Sequence, residues 1–129
     1  MAPISVTLAR RDPPAAVVAL LGEHDAYSAE RLEGELSSLM DEGQRIVVDL
    51  RDTAFIDSTT LSVLLAARLH AEQSSLGFAL LLPDRHYTQV HQILELTGLG
   101  PTFAIFGKLD AALRAVRAGR VDARPVKAA

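Results

Sequence analysis

The residues best placed to do chemistry are the acid and hydroxyls of Phe55-Ile56-Asp57-Ser58-Thr59-Thr60-Leu61. They follow a short apolar strand pattern, Arg45 to Leu50, and precede a helical pattern from Leu61 to about His70. Hydroxyls therefore stand where a strand hands over to a helix N-terminus. Free backbone N–H groups and a partial positive charge there favour a phosphate or another anion. A hydroxyl in that position can cap the helix, attack as a nucleophile or accept a phosphate. A nucleophile would need a base and an oxyanion site. The chain has no Gly-x-Ser-x-Gly, and none of His24, His70, His86 and His91 stands in a recognisable relation to Ser58. No histidine pair has i, i+4 spacing, so no metal site is expected. Gly98-Leu99-Gly100-Pro101 reads as a helix end followed by proline, not as a nucleotide loop. No enzyme activity and no cofactor are expected.

The surrounding pattern says which elements hold these residues. Ile4 to Ala9 alternates apolar and polar, the period of a half-buried edge strand. After Asp12-Pro13-Pro14, the apolar run Ala16 to Leu21 completes a hairpin, and Gly22-Glu23-His24-Asp25 ends it. Ser28 is expected to cap a helix from Ala29 to Met40, with Ala29, Leu32, Leu36, Leu39 and Met40 on one face. A strand over Ile46 to Leu50 leads to the hydroxyl cluster. The next helix should carry Leu61, Leu64, Leu65 and Leu69 inward, leaving Ser62, Ala66 and Arg68 as candidate partner surface. Strand Phe78 to Leu82, helix Tyr87 to Leu96, strand Phe103 to Phe106 and helix Asp110 to Ala118 follow.

The order β-β-α-β-α-β-α-β-α predicts an α/β fold. Its mainly parallel, mixed sheet would have about five strands, with an N-terminal hairpin and about four helices. Sites in such sheets form beyond the carboxyl ends of strands, where Asp25 and Asp57-Ser58 fall. Asp57 reads as a helix cap and surface acid rather than a catalytic base, and Asp25 equally as a cap or a binding residue. One domain over residues 4–118 is expected, with a mobile tail over 119–129.

The 129 residues suit one compact domain, and about half are apolar. The net formal charge of −3, without a basic stripe, argues against direct nucleic-acid binding. There is no cysteine, no signal-peptide pattern and no apolar run near the roughly 20 residues that span a bilayer. A cytoplasmic protein without a membrane partner is expected. The edge strand at Ile4 to Ala9 leaves a monomer or a weak homodimer open.

In this frame the chain resembles the STAS family, and within it the bacterial anti-sigma-factor antagonists, from about Val6 to Val116. Gly22-Glu23-His24-Asp25 is similar to the family's Gly-Glu-Leu-Asp segment. Val47 to Leu50 followed by Phe55 to Thr59 resembles the phosphorylation segment, whose usual form is Asp-Ser-[Ser/Thr]-Gly-Leu. Leu96-Thr97-Gly98-Leu99, with Phe103 to Phe106 after it, resembles the segment that leads into the last strand. The order and spacing of these segments carry the likeness. It departs at Thr60, where glycine is usual, at Ser62, often a second glycine, and at His24, usually aliphatic.

The resemblance implies partner switching. The unphosphorylated antagonist would bind an anti-sigma factor with a GHKL-type serine kinase fold and so release a sigma factor. Phosphorylation would end the complex, and a serine/threonine phosphatase would reset it. The phosphoacceptor implied is Ser58, with Thr59 as the second candidate. The partner-binding residues implied or exposed by pattern are Asp25, Asp57, Ser58, Thr59, Thr60, Ser62 and Arg68. The alternative is a scaffold or subunit of the same fold, never phosphorylated, in a stress-signalling or transport assembly.

Overall fold

A computed structural model describes residues 3–9 and 11–124. Five strands form the main sheet: β1 (Ile4–Ala9), β2 (Ala15–Leu20), β4 (Arg45–Asp49), β6 (Phe78–Leu81) and β7 (Ala104–Phe106). Their order is β1-β2-β4-β6-β7; β1 and β2 are antiparallel and the other neighbours parallel. Two shorter strands, β3 (Gly22–His24) and β5 (Thr53–Ile56), pair in parallel as a separate ribbon. The helices are α1 (Ala26–Asp41), α2 (Ser58–Gln73), α3 (Gln89–Thr97) and α4 (Leu109–Arg117). The α/β fold with its N-terminal hairpin is as expected.

The central strands are apolar on both faces because helices cover both. Ala16, Val18, Leu20, Ile46, Val48, Phe78 and Leu80 pack with α1, α2 and α3. On the other face Ala15, Val47, Ala79, Leu81 and Ala104 meet Ala112 and Val116 of α4. Each fully buried leucine contributes about 1.5–3 kcal/mol relative to exposure. At Gly77 the chain passes so close to α4 that a Cβ would collide with the Val116 backbone. The helix α3 ends on Gly98 in the left-handed region, φ 70°, which glycine adopts without steric cost.

Several sequence expectations change. The segment Gly22-Glu23-His24 does not merely end β2: it is β3. With β5 it is too short and too exposed to show a period of two. Ser28 is not the cap of α1. The helix starts three residues earlier than predicted, capped by Asp25, and Ser28 is buried in its first turn. The second helix likewise starts at Ser58 rather than Leu61. Leu69, expected inward, is half exposed, because α2 turns that face to solvent. Val6 and Leu8 of β1 are also exposed, since no helix reaches over that edge.

Residues 119–124, predicted as the start of a mobile tail, are held. Phe78 N–H donates to the Arg120 carbonyl at 2.8 Å, and Ala123 N–H to the Pro101 carbonyl at 3.2 Å. The remainder of that tail, 125–129, lies outside the described residues. No helix among the described residues is long and apolar enough to cross a membrane.

Candidate functional site

The β3–β5 ribbon builds the site. His24 and Ile56 lie side by side in its register, and the Asp57 N–H donates to the His24 carbonyl at 3.2 Å. Each strand is followed by an aspartate that caps a helix. Asp25 accepts the Tyr27 N–H at 3.0 Å, and Asp57 accepts the Thr60 N–H at 2.8 Å. The two helix N-termini thus start next to each other, each under an acid. Such caps satisfy first-turn donors and place negative charge at the positive end of the helix.

The structure sorts the hydroxyls that the sequence leaves equivalent. Thr60 is fully buried; its Oγ1 lies 3.0 Å from Asp57 Oδ1 and 3.3 Å from the His24 carbonyl oxygen. Ser62 is exposed and donates back to the Ser58 carbonyl at 2.9 Å. Ser58 and Thr59 are exposed, and their hydroxyls make no hydrogen bond among the described residues. Ser58 is the first helical residue, and its own N–H and that of Thr59 are first-turn donors without an intrahelical acceptor. Ser58 is therefore not the cap; Asp57 is.

Two neighbours outside the expected site residues hold this turn in place. Gln89, the first residue of α3, takes the Ile56 N–H on Oε1 and donates Nε2–H to the Ile56 carbonyl, both at 2.9 Å. One side chain thus acts as the next strand of the ribbon. No local signal marks it, since the partners are 33 residues apart.

His24 is the second. It is fully buried, with Nε2 3.1 Å from the Leu21 carbonyl and Nδ1 3.0 Å from Ser28 Oγ. A carbonyl only accepts, so neutral His24 carries its proton on Nε2 and accepts at Nδ1. Burial holds its pKa below the ordinary imidazole value. The Arg31 charge adds to that, while the Leu21 hydrogen bond and Asp25 oppose it.

Arg68, expected as partner surface, has a structural task. Its Nε donates to the Thr102 carbonyl at 2.9 Å, and an Nη lies 2.9 Å from Glu72 and 3.2 Å from Asp122. The site brings together Asp25, Asp57, Ser58, Thr59 and Thr60 at the ribbon's end. Ser62 lies one turn along α2, and Arg68 is three turns away beside the C-terminal segment.

A family profile described as Mlab, STAS domain, matches residues 7–107. The Mycobacterium tuberculosis protein named anti-sigma-F factor antagonist RsfB is 32% identical over 123 residues, covering 94% of this chain and 98% of that one. A crystal structure of an anti-sigma factor antagonist from Mycobacterium paratuberculosis superposes with a TM-score of 0.73 at 28% identity, covering 89% and 95% of the two chains. The antagonist SpoIIAA in its unphosphorylated form shares the fold, with a TM-score of 0.62 at 19% identity over 88% of this chain and 98% of that one. Its structure is also known in the phosphorylated form, at a TM-score of 0.61, 20% identity and 85% and 98% coverage. With a profile match over most of its length and the same sheet and helix order, this chain belongs to the STAS domain family.

Proposed function

We propose that this protein is an anti-sigma factor antagonist. Its unphosphorylated form binds an anti-sigma factor and so releases a sigma factor, and phosphorylation of Ser58 ends that binding. The observation that carries the reading is the sorting of hydroxyls: Ser58 stands exposed and unbonded at the start of α2, while Thr60 is buried and tied. The name of the M. tuberculosis relative supports it. The partner expected is an anti-sigma factor with a GHKL-type serine kinase fold, opposed by a serine/threonine phosphatase. On this reading the protein is a kinase substrate in the cytoplasm and catalyses nothing.

The physical switch is electrostatic. A phosphate on Ser58 adds about −1.5 to −2 charges at neutral pH. The first-turn N–H groups and the helix dipole stabilise it by about 0.3–1 kcal/mol at an exposed position. Asp57 next to it repels it. The fold can carry that balance, but a partner that buries the surface cannot desolvate a dianion without a cost of several kcal/mol. Each 1.4 kcal/mol is tenfold in affinity. A loss of about 10²–10³-fold in affinity is therefore expected.

Thr60, at the position where the family usually has glycine, supports a second reading, a scaffold that is never phosphorylated. Mass spectrometry after incubation with ATP and candidate anti-sigma kinases separates the two. One phosphate on the peptide containing Ser58, absent in Ser58→Ala, supports the switch. Stable binding to a kinase with no phosphate transferred supports the scaffold and sinks the switch.

A further inference from the structure

We propose that the free edge of β1 is an interaction surface for a second copy of this chain. Two copies would join by antiparallel pairing of β1 with β1, with Val6 on the two-fold axis.

The backbone register suits that partner. The Leu21 N–H donates to the Pro3 carbonyl at 3.1 Å, in continuation of the β1–β2 register in which Ser5 faces Ala19 and Thr7 faces Val17. Hydrogen-bonded and non-bonded pairs alternate along an antiparallel ladder. The odd residues of β1 therefore spend their N–H and C=O groups on β2. The N–H and C=O groups of Ile4, Val6 and Leu8 point outward from the sheet.

Those outward groups are self-complementary. A two-fold axis at Val6 sets Ile4 opposite Leu8 of the second copy, Val6 opposite Val6 and Leu8 opposite Ile4. Every position in that set is an outward-facing one, so each pair can exchange both of its hydrogen bonds. The same three side chains share the face that carries α1, α2 and α3, where Val6 is 39% and Leu8 52% exposed. Pairing would bring them into contact across the axis, as cross-strand apolar pairs.

Charge allows the pairing. Natural edge strands are usually blunted by lysine, proline, a bulge or shortness. The opposite edge, β7, has three residues, whereas β1 has six without a charged residue, a proline or a register shift. Exposed Arg11 and Asp12, of opposite charge, follow the C-terminal end of β1. The N-terminal end lies beside Leu21, next to exposed Glu23 and to Asp52, whose carbonyl accepts the Gly22 N–H. Six residues of edge bury less than the roughly 1,200–2,000 Å² of a stable interface, so the dimer belongs to the weak class. It would carry two Ser58 sites, since β1 contributes nothing to that site.

Sedimentation equilibrium of the full chain over micromolar to millimolar concentrations tests this, alongside Val6→Lys and Val6→Glu. Both substitutions are at an exposed position, and circular dichroism and urea unfolding check their fold. The expected result is a reversible wild-type dimer, at least tenfold weaker in either variant alone and restored on mixing the two, because Lys then faces Glu on the axis. A wild type that stays monomeric, a dimer that Val6→Lys leaves intact, or variants that fail to associate on mixing would each overturn the proposal.

Discussion

Thr60 and Asp57 close the first turn of α2 on each other: Asp57 Oδ1 accepts the Thr60 N–H at 2.8 Å and lies 3.0 Å from its hydroxyl. The same hydroxyl lies 3.3 Å from the His24 carbonyl, so one buried side chain ties the start of α2 to β3. A threonine in this place does more than occupy space. Thr60→Val keeps the shape and removes the hydroxyl. It should cost about 1.5–3 kcal/mol in urea unfolding, the range for a hydrogen bond to a charged group. A neutral Thr60→Val would mean that only the volume matters. Asp57→Ala should cost about 1 kcal/mol as a lost cap.

Gln89 holds both backbone groups of Ile56, one residue before the cap. Gln89→Ala leaves a half-buried N–H and C=O without their partner and should destabilise by about 1–3 kcal/mol. Hydrogen exchange reads the effect locally: the Ile56 amide should lose protection before the β4 and β6 amides do. Unchanged protection at Ile56 would show that α3 does not hold the ribbon.

Arg68 should behave as a structural residue. Arg68→Ala removes bonds to the Thr102 carbonyl and to Asp122 and should lower stability by about 1–3 kcal/mol. Binding to an anti-sigma factor, measured by calorimetry, should stay within about twofold, well under the tenfold that 1.4 kcal/mol represents. A large loss of affinity with normal stability would return Arg68 to the partner surface. The Asp122 carboxyl is held below the ordinary carboxylate range first by its hydrogen bond to Arg124, with Arg68 adding charge. Its stabilisation is therefore present at neutral pH and lost as the pH falls through the acid range.

His24 gives the fold a second pH dependence. Its folded pKa is depressed, so below about pH 6.5 the unfolded chain takes up a proton that the native state refuses. Stability should fall as the pH drops from 7.5 towards the folded pKa and level off below it. Urea midpoints across that range should drop more for the wild type than for His24→Gln, whose neutral amide does not titrate. Equal drops would place the titration elsewhere.

Much of this protein is legible in its sequence because burial imposes period and run length locally. The apolar runs of β2, β4 and β6, the 3.6-residue stripe of α1 with Leu32 and Leu36, and the glycine after α3 each declare their element within a few residues. The Asp-Ser-Thr run at the start of α2 declares an N-terminus in the same way. Long-range relationships leave no such mark. Four hydroxyls stand within five residues, and only the tertiary contact of Thr60 with β3 buries one and leaves Ser58 and Thr59 open. Gln89 and Ile56, or Arg68 and Asp122, meet because the sheet brings distant segments together. Local sequence determines which elements form and which chemistry stands at the start of α2. Which hydroxyl is free to react is decided by contacts between segments, because burial and hydrogen-bond partners belong to the assembled fold.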